Sequence, residues 1–497
     1  MTTVDADFGS EIPELDRLFI AGAWTRPDTG ACIDVVNPAT EEVVVRVAAP
    51  SASDADRAVA AAREAFDRGP WPRMTVPERV ATCSRMADRL EANREAIARA
   101  WTIESGAPVR FSDMMLDVAA GIWRHVFNLA PHLSFEEVRT SEGSEVLIRR
   151  EPVGTVLAIL TYNGPINLLG MKVFPALIAG CPVVIKSAPE SQLTMRLVAE
   201  SAREAGFPDG VLSVLAGDAE VSKHLVGHPG IDMVAMTGGT EVAMDVVRRS
   251  AAHLARTALE LGGKSPAIIT QSANLEEALP SLVPGATAYS GQVCVALSRI
   301  LAPRSRYEEV VATLAKAWQA IRVGDPLDTE TEVGPLATRR ALARTERFVA
   351  SAVAEGARIV VGGERPAEYE RGWYYQPTLL RDVANSMEVA QQEVFGPVTC
   401  VIEYEDHDDA IRIANDTKFG LAASVYSDDP EEAVDIARQI RAGSVAINTA
   451  GVSMTEPFGG MKQSGWGREC GPEGVFEFTQ LKQIVLSSSL GFDPAAV

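Results

Sequence analysis

The feature that most constrains the fold is an alternation of apolar strands and helices between residues 145 and 262. Strand, helix and strand at this spacing are typical of βαβ units, which build a parallel sheet. Ligands of such sheets bind at the carboxyl ends of the strands. We therefore predict an α/β fold with a ligand site at one sheet edge. The predicted strands are 153–160, 183–186, 211–215 and 231–236, and the predicted helices are 165–179, one from Gln192, one between the last two strands and one after Thr240.

The alternation continues more loosely on both sides of this stretch. A strand left over at a chain end usually pairs with another element, so the last predicted strand is a candidate contact with another subunit. The further predicted elements are a strand at 18–24, a helix capped by Ser53, a helix from Pro77 to Gly106, helices at 340–354 and 431–441, and strands at 359–361 and 476–486.

The charge balance argues against two classes of partner. The 497 residues include 67 acidic and 46 basic side chains, a net charge of −21. Such a surface repels nucleic acid and anionic membranes, so we expect neither as a partner. No apolar run approaches the ~18 residues of a membrane span. The N-terminal residues lack the positive and apolar regions of a signal peptide.

The six cysteines are Cys32, Cys83, Cys181, Cys294, Cys400 and Cys470. They are dispersed without a CxxC pair, which is typical of reduced thiols in a cytoplasmic enzyme. Most lone cysteines are small buried hydrophobes. His224 and His228 have the spacing of a zinc helix, but Gly227 interrupts it and no glutamate follows His224. We therefore expect no metal site.

Cys294 differs from the other cysteines because small and polar residues, Ser290-Gly-Gln-Val293, lead into it. Such residues let a ligand approach the backbone closely. A thiol with the ordinary pKa of about 8.5 needs a base or a positive environment to act as a nucleophile at neutral pH. Histidine is the usual base, yet no histidine here lies in a motif. The residues alone leave the role of Cys294 open.

Four motifs in order resemble the signatures of the aldehyde dehydrogenase superfamily. Two of them contain Glu260 and Cys294, which lie 34 residues apart, a spacing that fits the family. The similarity extends from about Leu18 to Leu486. The motifs are Leu259-Glu-Leu-Gly-Gly-Lys-Ser-Pro266, Gly291-Gln-Val-Cys-Val-Ala296, Gln392-Glu-Val-Phe-Gly-Pro-Val398 and Pro457-Phe-Gly-Gly-Met-Lys-Gln-Ser-Gly-Trp-Gly-Arg-Glu469.

The resemblance implies the role of each catalytic residue. Cys294 would attack the aldehyde carbonyl, and Asn163 would donate its side-chain amide to the developing oxyanion. Glu260 would activate the water that hydrolyses the resulting thioester. Relatives that transfer the acyl group to coenzyme A generally lack this glutamate, so a free carboxylic acid is the expected product. Lys172 and Glu469 resemble residues near the catalytic glutamate that assist proton movement.

The resemblance also implies a nicotinamide cofactor, NAD, with NADP as the alternative. Lys186 resembles a lysine that contacts the adenosine ribose, and the turn at 237–242 resembles the one beneath the pyrophosphate. Pro189 stands where NAD-preferring members often carry a glutamate, with Glu190 one residue later. NAD is favoured because only Lys186 and Ser187 lie near enough to bind a 2′-phosphate. The implied cofactor residues are Thr161, Tyr162, Lys186, Glu190, Gly217, Gly238, Gly239, Val242, Leu261, Gly262, Glu393 and Phe395.

Two departures from the family pattern concern the substrate. Tyr162 stands where tryptophan is common, and Gly164 stands where a bulky residue often lines the substrate tunnel. With apolar residues around them, these positions predict a roomy hydrophobic channel. We expect a medium-chain aliphatic, terpenoid or aromatic aldehyde as substrate, with a semialdehyde as the alternative. The implied tunnel residues are Gly164, Met171, Val293, Val295 and Phe458.

The fold implied by the resemblance is aldehyde dehydrogenase-like, and the family forms homodimers and homotetramers. Two other classes of function stay open, namely a cysteine-dependent esterase without redox function and a non-catalytic structural member of the fold. The implied parts are a Rossmann-like cofactor-binding domain at 1–129 and 153–262, an α/β catalytic domain at 263–463, and a small β oligomerisation element at 134–152 and 479–497.

Overall fold

The computed structural model describes residues 12–141 and 144–486. Residues 1–11, on which the expectation of no signal peptide rests, lie outside this range. The strands are, in chain order, Leu18–Ile20 (β1), Ala23–Thr25 (β2), Cys32–Asn37 (β3), Glu42–Ala48 (β4), Glu136–Ser141 (β5), Ser144–Pro152 (β6), Val156–Leu160 (β7), Val183–Ser187 (β8), Leu212–Ala216 (β9), Met233–Thr237 (β10), Arg256–Glu260 (β11), Pro266–Ile269 (β12), Arg299–Pro303 (β13), Arg358–Val361 (β14), Thr378–Arg381 (β15), Val398–Tyr404 (β16), Ala422–Tyr426 (β17), Ser444–Ile447 (β18), Gly465–Trp466 (β19) and Thr479–Leu486 (β20).

The α-helices lie between these strands and cover both faces of the larger sheets. In the described part of the chain, no helix is long and apolar enough to cross a membrane. The helices are Ala52–Asp67 (α1), Val76–Ala92 (α2), Arg94–Ser105 (α3), Val109–Leu129 (α4), Phe174–Ala179 (α5), Gln192–Ala205 (α6), Ala219–Val226 (α7), Thr240–Ser250 (α8), Leu275–Thr287 (α9), Tyr307–Ala320 (α10), Arg339–Ala354 (α11), Glu388–Gln391 (α12), His407–Asn415 (α13), Pro430–Gln439 (α14) and Gly471–Phe476 (α15).

An eight-stranded sheet confirms the predicted α/β fold. Its strand order is β19-β11-β10-β7-β8-β9-β1-β2, and the five central strands, β7 to β11, run parallel. Every residue of β7 is buried, because alternate side chains enter different cores. Val156, Ala158 and Leu160 belong to one apolar cluster, whereas Leu157 and Ile159 belong to another. This two-sided burial explains the continuous apolar runs in the sequence.

The direction of the strand order reverses beside β7. From β7 the chain proceeds through β8 and β9 on one side, and then returns to place β10 and β11 on the other side. A reversal of this kind opens a crevice at the carboxyl ends of the two strands that flank it. Residues 161–163 follow β7 and residues 238–239 follow β10, so both segments lie at this crevice.

Three smaller assemblies complete the fold. A seven-stranded sheet has the order β14-β15-β16-β13-β12-β17-β18, a three-stranded sheet the order β20-β6-β5, and β3 and β4 form a hairpin. The eight-stranded sheet takes strands from 18–25, 156–260 and 465–466, and the seven-stranded sheet spans 266–447. The domain boundaries proposed above stay a prediction.

Two predicted elements near the N-terminus are wrong. The segment 18–24 is a hairpin of β1 and β2 that turns through Ala21 (φ 58°) and Gly22 (φ 85°). Helix α1 is capped by Ser51, whose hydroxyl accepts the Asp54 N–H at 3.2 Å. Ser53 lies inside that helix instead of capping it.

Two longer elements also differ from prediction. The helix expected from Pro77 to Gly106 is broken at Asn93 (φ −97°, ψ 13°), which separates α2 from α3. The final strand begins only at Thr479, since 471–476 is helical, and it pairs with β6 of the same chain. It is therefore not left over within the fold, although β20 is an edge strand of its sheet.

Candidate active site

The loop before Cys294 has an unusual backbone. Tyr289, Ser290 and Gly291 have φ angles of 49°, 57° and 69°, so three consecutive residues are left-handed. This conformation is costly for residues other than glycine and persists only where the surroundings fix it. A Cβ at Gly291 would lie 2.2 Å from a backbone oxygen of the neighbouring loop, so glycine is required there. The loop presents Cys294 as a half-buried thiol.

Two hydroxyl groups hold this strained loop in place. The Ser290 hydroxyl donates to the Gly334 carbonyl at 2.7 Å, and the Tyr289 hydroxyl donates to the Ser105 carbonyl at 3.2 Å. Both donors are buried, where a hydrogen bond is most costly to lose. The end of α3 therefore supports the loop before Cys294 directly.

Asn163 is fixed at both ends of its side-chain amide. Its Oδ1 accepts from the Thr161 hydroxyl at 2.7 Å, and its Nδ2 donates to the Gln292 carbonyl at 3.0 Å. An amide nitrogen carries two hydrogens, so one N–H remains for a ligand. The side chain of Thr161, which the resemblance assigns to the cofactor, thus also orients the predicted oxyanion donor beside Cys294.

Gln292 is a residue of the candidate site that the sequence reasoning missed. It is fully buried, and its Oε1 accepts from the Tyr162 hydroxyl at 3.0 Å and from the Ala337 N–H at 3.1 Å. Its Nε2 donates to the Tyr289 carbonyl at 3.3 Å. These bonds connect the loop before Cys294 to the residues around Asn163. The sequence feature that could have identified it is a glutamine two residues before the cysteine, at a position that is buried in the fold.

Glu260 lies at the end of β11 and is only 4% exposed. Among the described residues, neither of its carboxylate oxygens has a hydrogen-bond partner. Burial, and then the negative charge of Glu469, raise the pKa of Glu260 well above its usual range, while Lys172 opposes the effect. The raised pKa makes the Glu260 carboxylate a stronger base than an ordinary exposed carboxylate.

Lys172 and Glu469 form a buried ion pair beside Glu260. The Lys172 ammonium bonds to Glu469 Oε1, and the two side chains are 0% and 7% exposed. Lys172 belongs to a π-helical segment, Leu169–Val173, a geometry frequent at functional sites. The structure therefore brings Cys294, Glu260 and the ion pair into one charged neighbourhood.

The surroundings of Cys294 disfavour a free thiolate. Burial first, and then the carboxylates of Glu393 and Glu260, raise the pKa of the Cys294 thiol to about 12. Glu469 acts in the same direction. The thiol is therefore protonated at neutral pH, and a nearby base must take its proton before attack.

The carboxyl ends of β8 and β10 form the outer part of the predicted cofactor site. Helix α8 begins after Gly239, which has no capping side chain, and a Cβ at this glycine would meet nothing within 4 Å. The space beside Gly239, at the N-terminus of the helix, is therefore open, which suits a pyrophosphate. Gly238 precedes it and donates its N–H to the Glu260 carbonyl at 3.0 Å. Val242, in the first turn, is 56% exposed and offers an apolar surface.

Lys186 and Glu190 face each other at the same edge of the sheet. Burial lowers the pKa of Lys186 to about 8, and the carboxylate of Glu190 opposes that effect. Gly217 follows β9, and a Cβ there would lie 3.0 Å from the ring of Pro50, so its lack of a side chain serves packing.

The inner part of the predicted cofactor site lies next to Cys294. The Gly263 N–H donates to Glu393 Oε1 at 3.1 Å, and a Cβ at Gly262 would lie 2.3 Å from the same carboxylate. Phe395 packs edge-on against Tyr162 with 6.4 Å between ring centroids. Leu261 is anchored by its N–H, which donates to the Ser464 carbonyl at 3.0 Å. The assignment of these positions to a nicotinamide dinucleotide stays a prediction.

Apolar side chains surround the other side of Cys294. Cys294 and Val295 pack against the cluster that contains Met171 and Phe458. Val293 packs against a separate cluster, around Trp101 and Tyr289. Four further apolar residues pack against these clusters, and the sequence analysis did not single them out. They are Phe111, Met115, Val452 and Met454.

The two histidines with zinc-like spacing have a different role. His224 and His228 both face Asp56, at 2.6 and 3.5 Å. In the ranges 12–141 and 144–486, no group of three or more histidine, cysteine or acidic residues could hold a metal ion.

Comparisons with known proteins agree with one family. The family model described as "Aldehyde dehydrogenase family" matches residues 24–484. The geranial dehydrogenase of Castellaniella defragrans is 41% identical, over 95% of this chain and 98% of its own. A crystal structure of a Mycobacterium tuberculosis aldehyde dehydrogenase with NAD+ is 42% identical with a TM-score of 0.94, covering 96% and 99%. A variant of aldehyde dehydrogenase C from Pseudomonas syringae, with NAD+ and octanal, is 39% identical with a TM-score of 0.91, covering 95% and 96%.

The raised pKa of Cys294 predicts the pH dependence of its alkylation. Because only the thiolate reacts, the rate with iodoacetamide in the ligand-free protein should rise about tenfold per pH unit between pH 7 and 9. Labelling of the Cys294 peptide is followed by mass spectrometry in a Cys32→Ser background, because Cys32 is the exposed cysteine. Cys294→Ser supplies the blank. A rate that levels off below pH 8 would show that the thiolate is stabilised, against the burial argument.

Proposed function

The chain belongs to the aldehyde dehydrogenase family, and we propose that it oxidises an aldehyde to the free carboxylic acid with NAD, using Cys294 as nucleophile. The observation that carries the proposal is the placement of Cys294. It packs against an apolar cluster, and its loop accepts a hydrogen bond from Asn163, which follows β7 at the carboxyl edge of the parallel sheet. Beside it stands Glu260, a buried carboxylate without a hydrogen-bond partner among the described residues.

The first half of the reaction forms a bond between Cys294 Sγ and the aldehyde carbon. Glu260 takes the thiol proton, directly or through water, because the thiol pKa of about 12 prevents spontaneous ionisation. The carbonyl oxygen becomes an oxyanion, which the free N–H of Asn163 Nδ2 stabilises. Losing one such donor typically costs about 2.7–4 kcal/mol of barrier. When bound, NAD would supply a hydride acceptor. The C–H bond of the attacked carbon then breaks, the oxyanion reforms the C=O bond, and a thioester remains on Cys294.

The second half releases the acid. The acyl group is now a thioester on Cys294, and Glu260 removes a proton from the water that attacks it. The C–S bond breaks, and the carboxylic acid leaves. A general base of this kind contributes about 10²–10⁴-fold. The charges of Lys172 and Glu469 lie next to Glu260 and give its proton a route away from the buried site.

The choice of NAD is supported by charge at the outer cofactor site. Lys186 would contact the adenosine ribose, and α8 would receive the pyrophosphate at its N-terminus. Glu190 lies near Lys186, and although burial raises the pKa of Glu190, its carboxyl group would disfavour the 2′-phosphate of NADP. The inner residues Glu393 and Phe395 would hold the nicotinamide ribose. The similar M. tuberculosis enzyme was solved with NAD+.

The proposed substrate is a medium-chain aliphatic, terpenoid or aromatic aldehyde. Support comes from the apolar clusters that flank Cys294 and from Gly164, beside which only Asn167 lies within 4 Å. The similar proteins include one named for geranial and one solved with octanal. A semialdehyde is the alternative within the family.

An absorbance assay at 340 nm tests this function. Octanal, geranial and benzaldehyde with NAD should produce NADH, and a short carboxylate semialdehyde should have a lower kcat/KM. NADP in place of NAD should give a slower rate. Cys294→Ala should lower the rate by more than about 10³-fold, because the covalent intermediate is lost.

Other results, from this assay and from assays of ester hydrolysis and cofactor binding, would indicate a different function or a different substrate. Hydrolysis of p-nitrophenyl acetate without NADH from any aldehyde would indicate a cysteine-dependent esterase. Cofactor binding without either activity would indicate a structural member of the fold. A semialdehyde with a kcat/KM a hundred-fold above octanal would overturn the proposed substrate class alone.

We also propose that the protein is a cytoplasmic homodimer or homotetramer. All six cysteines are free thiols, as expected in a reducing compartment. Leu481 and Val485 lie four residues apart on the edge strand β20 and are 61% and 66% exposed. An apolar edge strand of this kind is a liability unless another chain covers it. A second copy of this chain is the proposed partner.

A double substitution on β20 tests this assembly. Leu481→Asp with Val485→Asp should reduce the mass measured by light scattering to that of one chain, because two charges cannot be buried at the contact. Val353→Asp is the control, since Val353 is 47% exposed and lies on α11, outside this sheet. A monomeric mass for the unmodified protein at micromolar concentration would overturn the proposed assembly.

A further inference from the structure

Helix α6 begins without a capping side chain from its own segment. Ser191 stands at the N-cap position, but its side chain makes no capping bond, and its hydroxyl donates instead to the Ala188 carbonyl at 3.1 Å. The second and third residues of the helix are Leu193 and Thr194. Their N–H groups are the ones that an N-cap side chain ordinarily binds. The first turn of α6 therefore needs an acceptor from elsewhere in the chain.

Glu104 supplies this acceptor from the last turn of α3. Its Oε2 accepts the Leu193 N–H at 2.7 Å, and its Oε1 accepts the Thr194 N–H at 2.9 Å. Glu104 is only 2% exposed. A carboxylate near the C-terminus of a helix opposes the helix dipole, and burial adds to its cost. The contact with α6 is what offsets this cost.

This contact fixes one end of the proposed cofactor site. The turn Pro189–Ser191 lies between β8 and α6, so its position depends on where α6 begins. The turn carries Glu190, which lies near Lys186, the lysine proposed for the adenosine ribose. Glu104 therefore supports the adenosine end of the site through the first turn of α6.

The same end of α3 holds the loop before Cys294. The Ser105 carbonyl accepts from the Tyr289 hydroxyl at 3.2 Å. The Trp101 indole N–H donates to the Tyr162 carbonyl at 2.8 Å, next to the proposed oxyanion donor. Ser105 and Trp101 are both fully buried. One helix turn thus contacts α6, the loop of the nucleophile and the segment that follows β7.

Tyr289 is where these contacts come together. Burial raises the pKa of its hydroxyl, and the charges of Glu104 and Glu190 add to that effect. The hydroxyl that supports the strained loop therefore lies near both carboxyl groups. The adenosine end of the cofactor site and the loop before Cys294 share one support.

We propose that Glu104 is a positioning residue for the oxidation, which holds the adenosine end of the NAD site and the loop before Cys294 in fixed places relative to each other. This inference rests on the proposed function. Glu104 acts through the first turn of α6 and through Ser105, its neighbour in the chain. Its loss therefore disturbs both ends of the site.

Glu104→Gln tests this role, because glutamine keeps the size of the side chain but offers one acceptor oxygen instead of two. Binding of ADP, which has the adenosine end of NAD without the nicotinamide, is measured by calorimetry. Alkylation of the Cys294 peptide by iodoacetamide is measured in the ligand-free protein, in the Cys32→Ser background. Both are measured at pH 9, because burial raises the pKa of Glu104 to about 8 and the test requires its ionised form.

Both readouts should change in Glu104→Gln. The Kd for ADP should rise about tenfold, because a hydrogen bond to a charged acceptor is lost beside the turn. The Cys294 peptide should be alkylated faster than in the unmodified protein, because the strained loop is held less firmly.

Asp54→Asn is the matched control. Asp54 is fully buried, and its carboxylate also binds N–H groups at the start of a helix, including that of Ser51 at 2.9 Å. It lies in α1, away from α3 and from the loop before Cys294. The control should lower the unfolding temperature but leave the ADP affinity and the alkylation rate unchanged.

Glu104→Asp keeps the test decisive if Glu104→Gln does not fold. It retains the charge but is one methylene shorter, so both readouts should change in the same direction. Values equal to those of Asp54→Asn would overturn the positioning role and leave the proposed function intact. A change in only one readout would overturn the link between the two ends. Failure of the unmodified protein to bind ADP and NAD would overturn the proposed function and this inference together.

Discussion

The hydrogen bond from Asn163 Nδ2 to the Gln292 carbonyl, at 3.0 Å, joins the two large sheets at the proposed reaction centre. Asn163 follows β7 of the eight-stranded sheet, whereas Gln292 precedes β13 of the seven-stranded sheet. One such bond contributes only about 0.5–1.5 kcal/mol. Its importance is geometric, because it sets the oxyanion donor relative to Cys294, and such positions must be held within about 0.5 Å. The buried side-chain amide of Gln292 supports the same arrangement through Tyr162 and Ala337.

The buried charges beside this bond are costly for stability. Glu260 and Glu469 are both largely buried, and a single Lys172 pairs with only one of them. Removing one partner of a buried ion pair typically costs about 3–5 kcal/mol. A purely structural site would bury apolar groups here instead. The unpaired carboxylate of Glu260, its raised pKa and its position facing Cys294 are what a proton-transferring group requires.

The sequence predicted the parallel sheet better than it predicted local boundaries, and the assignment of the catalytic residues stays a prediction. Apolar runs such as β7 report burial on both faces, so they are visible without the fold. Ser51 and Ser53 each precede an aspartate by three residues, so the local pattern could not distinguish the true cap. Gln292 contacts Asn163 across 129 positions, and Glu104 contacts Leu193 across 89. A role that depends on contacts between residues far apart in the sequence leaves no local sequence pattern. The family resemblance assigned no role to Gln292 or to Glu104.

The central claim is that Cys294 carries the acyl group and that Glu260 is needed to release it. The most direct test is intact-protein and peptide mass spectrometry of Glu260→Gln after mixing with NAD and the best aldehyde of the panel. Because Glu260 serves as base in both halves of the reaction, the account predicts that formation of the first NADH, up to about one per site, is itself slowed, that later turnover is slowed by about 10²–10⁴-fold, and that the acyl mass is found on the Cys294 peptide. Turnover at the unmodified rate, with no acyl group on that peptide, would contradict it.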